Sequence, residues 1–191
     1  MKSRAGLFLL AIVLAAAVIF AVIPLLHRPS DPSTLRLSFD VNQIEKIQIG
    51  KGGPADDPAA HLLVTLVKAK RTGEQDWKIP DLSNASVDHE KVNHLLKQIR
   101  YAKGRLVTKN RLAYSEFGLS HQDTFRVSLF NGKWKPILIL LIGSKTDLGL
   151  SFIRRGGSKA IYQVEGDLLS SIGIADKTRR PSADYWLAKA E

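Results

Sequence analysis

The spacing of apolar side chains changes period several times along these 191 residues, and each change marks an element. Residues 6–26, GLFLLAIVLAAAVIFAVIPLL, are uncharged throughout, with only Gly6 and Pro24 unfavourable to a helix. A helix of that length rises about 1.5 Å per residue and spans about 30 Å, the thickness of a bilayer's hydrocarbon core. Ile44, Ile47 and Ile49 then fall in a short β-rich run, closed by the glycine- and proline-rich loop GKGGPADDP. Residues 62–70, rich in Val and Leu, predict a second strand. Trp77 and Ile79 alternate with charged neighbours in a third, stopped by Pro80. Val92, Leu95, Leu96 and Ile99 recur at i, i+3, i+4 and i+7, which is one stripe of an α-helix. Ser86 or Asp88 is available as its N-cap, and Gly104 stands just past its end.

Beyond that helix the alternation of strands returns. Phe125, Val127 and Leu129 alternate with polar residues up to Asn131-Gly132, a strong hairpin signal because both positions of the tight turn favour positive φ. Residues 134–142 predict the return strand. Residues 151–155 and 160–164 flank Gly156-Gly157 as a second hairpin, and 167–172 predicts a short helix. Strands joined by tight turns, with one helix early, predict an α+β class: a mostly antiparallel sheet with one long covering helix, preceded by a single N-terminal transmembrane helix.

The domain organisation follows. Residues 1–5 are a cytoplasmic tail, 6–26 a transmembrane anchor, 27–34 (HRPSDPST) an extended linker, and 35–191 an extracytoplasmic α+β domain. A cleaved signal has a shorter apolar region, of about 7–15 residues, and small residues at its exit. Here the run is longer and leaves through Pro24, Leu25, Leu26, His27 and Arg28. Lys2 and Arg4 before the span outweigh Arg28 after it, which favours an amino terminus in the cytoplasm. The expected location is therefore the inner membrane, single-pass, with the folded body in the periplasm or outside.

Composition narrows the chemistry. The chain has no cysteine, which removes disulfides, thiolate metal sites and a cysteine nucleophile together. Lys and Arg number 28 against 18 Asp and Glu, so the protein carries a field that attracts anions. The run LLIGSKTDLG, residues 141–150, imitates the start of a phosphate-binding loop. That loop needs several glycine amides around the phosphate and a lysine directly after the last glycine. Ser144 separates Gly143 from Lys145 and no helix pattern follows, so a turn is expected instead. His89 and His94 imitate a zinc-binding pair, but at i, i+5 they diverge by about 140° around a helix. His61 and His121 have no acidic or histidine neighbour at ligand spacing. No nucleophile elbow is present, and no cofactor site is predicted.

The densest charge feature is residues 91–111, where seven basic side chains occur without one acid. Lys97, Arg100, Lys103 and Arg105 make the candidate anion-facing surface. A solvated helix back is the ordinary outcome of such a run. Nucleic acid is the poorer partner, since only Tyr101 interrupts the run as a stacking aromatic; anionic lipid head groups or an acidic envelope polymer fit better.

Several phrases recur in a known order: Trp77-Lys78-Ile79, the helix from Val92 to Ile99, YSEFGL at 114–119, Leu140 to Gly143, Phe152 to Gly157, and Ile161 to Val164. Together they resemble a bacterial family of membrane-anchored domains of unknown function, often encoded beside ABC transporters and auxiliary components of the gliding-motility type. The resemblance covers residues 39–175. It implies that Gly143 ends a strand, and it brings no catalytic residue. Ser120, His121 and Gln122 stand where the family usually has a proline, and Phe152 replaces a common tyrosine. The expected function is that of a non-enzymatic accessory or scaffold protein binding partners of a transporter or envelope complex. A binding module for an anionic polymer or lipid head groups is the alternative, and a hydrolase with dispersed catalytic residues the second.

Overall fold

The structure is a computed structural model that describes residues 34–52, 62–69, 76–175 and 181–188. Its strands are β1 (Thr34–Arg36), β2 (Lys46–Lys51), β3 (Leu62–Lys68), β4 (Trp77–Ile79), β5 (Ala85–Ser86), β6 (Lys103–Thr108), β7 (Phe125–Phe130), β8 (Pro136–Lys145), β9 (Ser151–Arg155) and β10 (Ile161–Val164). All ten join one sheet in the order β1-β6-β10-β9-β8-β7-β2-β3-β4-β5. Every neighbouring pair runs antiparallel. The helix α1 (His89–Tyr101) connects β5, at one edge, to β6, near the other.

That connection fixes the curvature of the sheet. β5 and β6 stand eight positions apart in the strand order, or about 38 Å on a flat sheet with strands about 4.8 Å apart. A helix of 13 residues is about 20 Å long, and the five flanking steps add at most about 18 Å, so a flat sheet would need helix and linkers drawn out in one straight line. The sheet therefore curls round α1. Val92, Leu95, Leu96 and Ile99 on the helix share one core with Ile47, Ile49, Leu66, Trp77, Val127, Leu140, Ile142, Ile153 and Val164. Trp186, fully buried, closes this core from the carboxyl end, where Leu187 bridges to Val87.

Two expectations need correction here. The helix is short, and the architecture is dominated by a ten-stranded antiparallel sheet, so "one long covering helix" does not describe it. The apolar stripe matches the buried face of the helix, and the stretch after Tyr101, given no element by the sequence, is the strand β6. Among the described residues no helix is long and apolar enough to cross a membrane, and residues 6–26 lie outside them. The second concerns the β7–β8 turn. Neither Asn131 nor Gly132 has positive φ; Trp134 does, at 56°. The Asn131 side chain accepts from the amides of Lys133 and Lys135, both at 3.0 Å, which turns the chain one residue later than a two-residue loop would. The return strand accordingly starts at Pro136 and runs to Lys145.

Gly104 also has a different role from the expected helix end. It lies inside β6, where a Cβ would sit 2.8 Å from Val164 Cγ1. Close packing between strands requires the glycine. The 167–172 segment is a short 3-10 turn at Ser170–Ile172.

The outer face of the sheet carries a smaller cluster. Leu119, Leu141 and Ile161 are buried there with Tyr114, Phe117 and Phe152 packed on them. The YSEFGL segment is folded onto β8–β10, with Phe117 and Phe152 centroids 4.7 Å apart and Gly118 at φ 64°. Ser144 N donates to the Phe117 carbonyl at 2.8 Å. A Cβ on Gly143 would collide with that same carbonyl oxygen, which accounts for a glycine at this strand position.

Candidate anion-binding groove

α1 begins at Asp88, whose carboxylate accepts from the amides of Glu90 and Lys91 at 3.0 and 3.3 Å. Burial alone would push this carboxyl up, but the hydrogen bonds and charge of Lys91, with the Glu90 amide, hold it below its ordinary value. Lys91 Nζ also donates to the Tyr185 carbonyl at 2.6 Å, tying the helix start to the carboxyl-terminal segment. Burial, with the Asp88 charge beside it, pushes the Tyr185 phenol up. The most amino-terminal member of the basic run is thus committed to structure.

At the other end of α1 a groove of about 460 Å³ opens, lined by His94, Lys97, Gln98, Tyr101, Ala102, Lys103, Glu165 and Gly166. His94, Lys97 and Tyr101 are three and four residues apart, so they share one helical face. Lys103 comes from the first residue of β6. Glu165 and Gly166 follow β10, which pairs with β6 through Gly104 and Val164.

The far wall is held rigidly. Ser151 Oγ donates to the Gly166 carbonyl at 2.8 Å and accepts from the Leu168 amide at 3.0 Å. Asp167 takes Lys145 Nζ at 2.7 Å, and the Ser170 hydroxyl and amide at 2.7 and 3.0 Å. Burial would raise the Asp167 carboxyl, but Lys145 and Ser170 hold it below its ordinary value. Gly166, at φ 93°, lets the backbone approach the helix; a Cβ there would be 2.6 Å from Gln98 Oε1. Lys145 is therefore a strut for this wall, in place of the phosphate ligand that its sequence context imitates.

Of the four basic residues singled out in the sequence, the groove brings together Lys97 and Lys103. Arg100 lies on the adjoining helix face, 5.7 Å from the Tyr101 ring centroid. Arg105 points from β6 beside Gln163, with Nη2 to Oε1 at 3.4 Å, outside the groove. Two participants were not legible. Glu165 puts one acid beside a run that contains none, and Arg36 stands directly opposite Lys103 across the β1–β6 pair. Like charges directly opposite each other repel, so this pairing is an unfavourable one. His89 is separated from His94 and lies 3.6 Å from Asp76. Among the described residues no group of three or more His, Asp or Glu is arranged to hold a metal.

A family model described as domain of unknown function DUF4340 matches residues 77–179. The chain belongs to this family. The match covers more than half of the chain and includes the whole groove; β1, β2 and β3 lie before the DUF4340 segment. No curated protein and no solved structure matches the chain. The DUF4340 segment contributes both walls of the groove, so helix and floor belong to one structural unit.

Proposed function

We propose that this protein acts by binding, as an accessory component of a membrane or envelope complex of the transporter-associated kind, and that its groove holds an anionic segment of a polymer. The observation that carries this reading is the convergence of Lys97 and Lys103 on one concave site. An anion seated between them gains from both ammonium groups and from His94 and Gln98 as hydrogen-bonding groups. Glu165 limits the site to ligands whose charge is placed away from it. The tyrosine wall offers a sugar or other flat group a stacking surface. The uncharged stretch 6–26 supports an inner-membrane location with the folded body outside the cytoplasm.

Inorganic polyphosphate and polyglutamate are suitable probes. Retention of the full chain on either is expected to fall at least about tenfold in a Lys97→Glu/Lys103→Glu variant, a difference of about 1.4 kcal/mol. An Arg100→Glu/Arg105→Glu variant removes as much charge outside the groove. Equal losses in the two variants refute a defined site and leave only a diffuse cationic field. Co-purification after mild detergent extraction tests the accessory role, and a chain that repeatedly emerges without partners rejects it.

A further inference from the structure

The β7–β8 hairpin carries a second basic feature that the groove does not use. Trp134 is 51% exposed and holds a left-handed backbone conformation, φ 56°. Glycine or asparagine ordinarily occupies that conformation, since a Cβ is crowded there. A large aromatic at the tip of a turn is not needed to make the turn. Lys46 Nζ lies 4.5 Å from the Trp134 centroid and 4.4 Å from that of Phe130, so an ammonium group sits against the indole. Lys133 and Lys135 flank Trp134 in the chain, and both are exposed. Neither makes an ion pair with a described residue. The acid at this tip is Glu45, whose carboxylate packs where a Cβ of Gly132 would be.

We propose that this hairpin tip is a contact with an anionic lipid surface, the Trp134 indole entering the head-group layer while Lys46, Lys133 and Lys135 meet its phosphates. The feature is convex, so it cannot enclose a small ligand. Its exposed aromatic is bordered by lysines, whereas a protein-binding hot spot sits at the centre of an apolar patch. Tryptophan with a wet end and an apolar body, beside lysines, is the composition that favours the membrane–water interface. Lysines near such a surface are attracted to anionic lipid, and the attraction is screened by salt. The contact is independent of the groove: a failed polymer assay leaves it standing.

Trp134 also reports on itself. The other two tryptophans, Trp77 and Trp186, are 3% and 0% exposed. The full chain is added from detergent to vesicles of phosphatidylcholine, with or without phosphatidylglycerol, whose acyl chains are brominated near the head group. With phosphatidylglycerol present, the emission is expected to shift to the blue and be quenched, and salt should reverse both. Trp134→Phe should abolish the change. Lys133→Glu/Lys135→Glu should reduce the phosphatidylglycerol-dependent quenching of Trp134 severalfold, since each lysine contributes to the attraction. Equal quenching in the two lipid mixtures, or quenching that survives Trp134→Phe, would overturn the proposal. So would an indole that stays unquenched in both mixtures, or one that is shielded only when a second protein is supplied. Thermal melts of both variants, compared with the unaltered chain, separate a lost contact from a lost fold.

Discussion

The groove and the hairpin tip are both basic, but they stand at opposite ends of the strands and are built differently. The groove lies where β6 starts and β10 ends, alongside Lys145 and Ser151, which face each other across β8 and β9. The tip lies where β7 gives way to β8 and β2 begins, with Lys46 opposite Phe130. Lys97 and Lys103 project from two elements against a wall hydrogen-bonded at Ser151 and Asp167. Lys133 and Lys135 are near neighbours on one turn around a protruding indole. A concave pair of cations on rigid supports favours a particular anion geometry, whereas a convex tip favours an extended anionic surface. Similar charge thus serves two kinds of partner according to the backbone that presents it.

The largest expected effect falls on the groove's support. Leu95 is fully buried on the face of α1 that packs into the sheet. Leu95→Ala should lower stability by about 2–5 kcal/mol in urea unfolding, through lost transfer energy and the cavity left behind. Hydrogen exchange should then speed up first through α1 and β6, while β7 and β8, central in the strand order, keep their protection longer. Equal loss in both regions would mean that the two sites share one cooperative unit.

Charge reversal comes next in size. Lys97→Glu/Lys103→Glu should cost polymer binding at least about tenfold, as derived above, and leave quenching of Trp134 by brominated anionic vesicles unaltered. Lys133→Glu/Lys135→Glu should do the opposite. If either pair weakens both readouts equally, the distinction between the two sites collapses into net charge.

Much of this architecture was legible and the reasons for the rest are physical. The helix stripe of Val92, Leu95, Leu96 and Ile99 is periodic because one face is fully buried, and it predicts the helix and its core side directly. β7 reads as a strand for the same reason, although all six of its residues are buried and its polar face packs too. β6, KGRLVT, was invisible as a strand: it lies near an edge, its exposed positions are Lys103, Arg105 and Val107, and one inward position is a glycine. The width of the sheet was hard to read because several strands are only two to four residues long and carry little periodicity. Lys97 and Lys103 were singled out from local charge alone. Glu165 and Gly166 reach them through the pairing of β10 with β6, which no local pattern encodes. Trp134 was missed as a special residue because Asn131-Gly132 satisfied the usual turn rule, and the Asn131 side chain then chose a different turn.

An effect of middle size tests two carboxylates, Asp88 at the start of α1 and Asp167 behind the groove's far wall. Asp88 and Asp167 both have values held below the ordinary carboxylate value of about 3.9. Such groups contribute stability that is fully present above that value and is lost as pH falls through the depressed folded value. Acid should therefore destabilise the domain below about pH 4, and an Asp88→Asn/Asp167→Asn variant should show a flatter acid limb. At neutral pH, Asp88→Ala alone should cost about 1 kcal/mol as a lost N-cap. An acid limb as steep as that of the unaltered chain would place the acid sensitivity elsewhere.

The smallest effect discriminates most sharply, because it separates what the tip costs the fold from what it offers a surface. A non-glycine residue in the left-handed conformation costs about 1–2 kcal/mol, and Trp134→Gly removes that cost. Against this stand the lost contact of Lys46 with the indole, about 0.5–1 kcal/mol at an exposed site, and the greater freedom of glycine in the unfolded chain, about 0.5–1 kcal/mol. The terms nearly cancel, so chemical denaturation should find Trp134→Gly within about 0.5 kcal/mol of the unaltered chain. Trp134→Ala keeps the backbone strain and loses the ring, and should be the less stable of the two. If Trp134→Gly is instead as damaging as Leu95→Ala, the indole is a structural clamp between β2 and the hairpin, and its exposure is incidental. If it is neutral while quenching disappears, the fold has no need of the tryptophan, and the strained turn persists for what lies outside the protein.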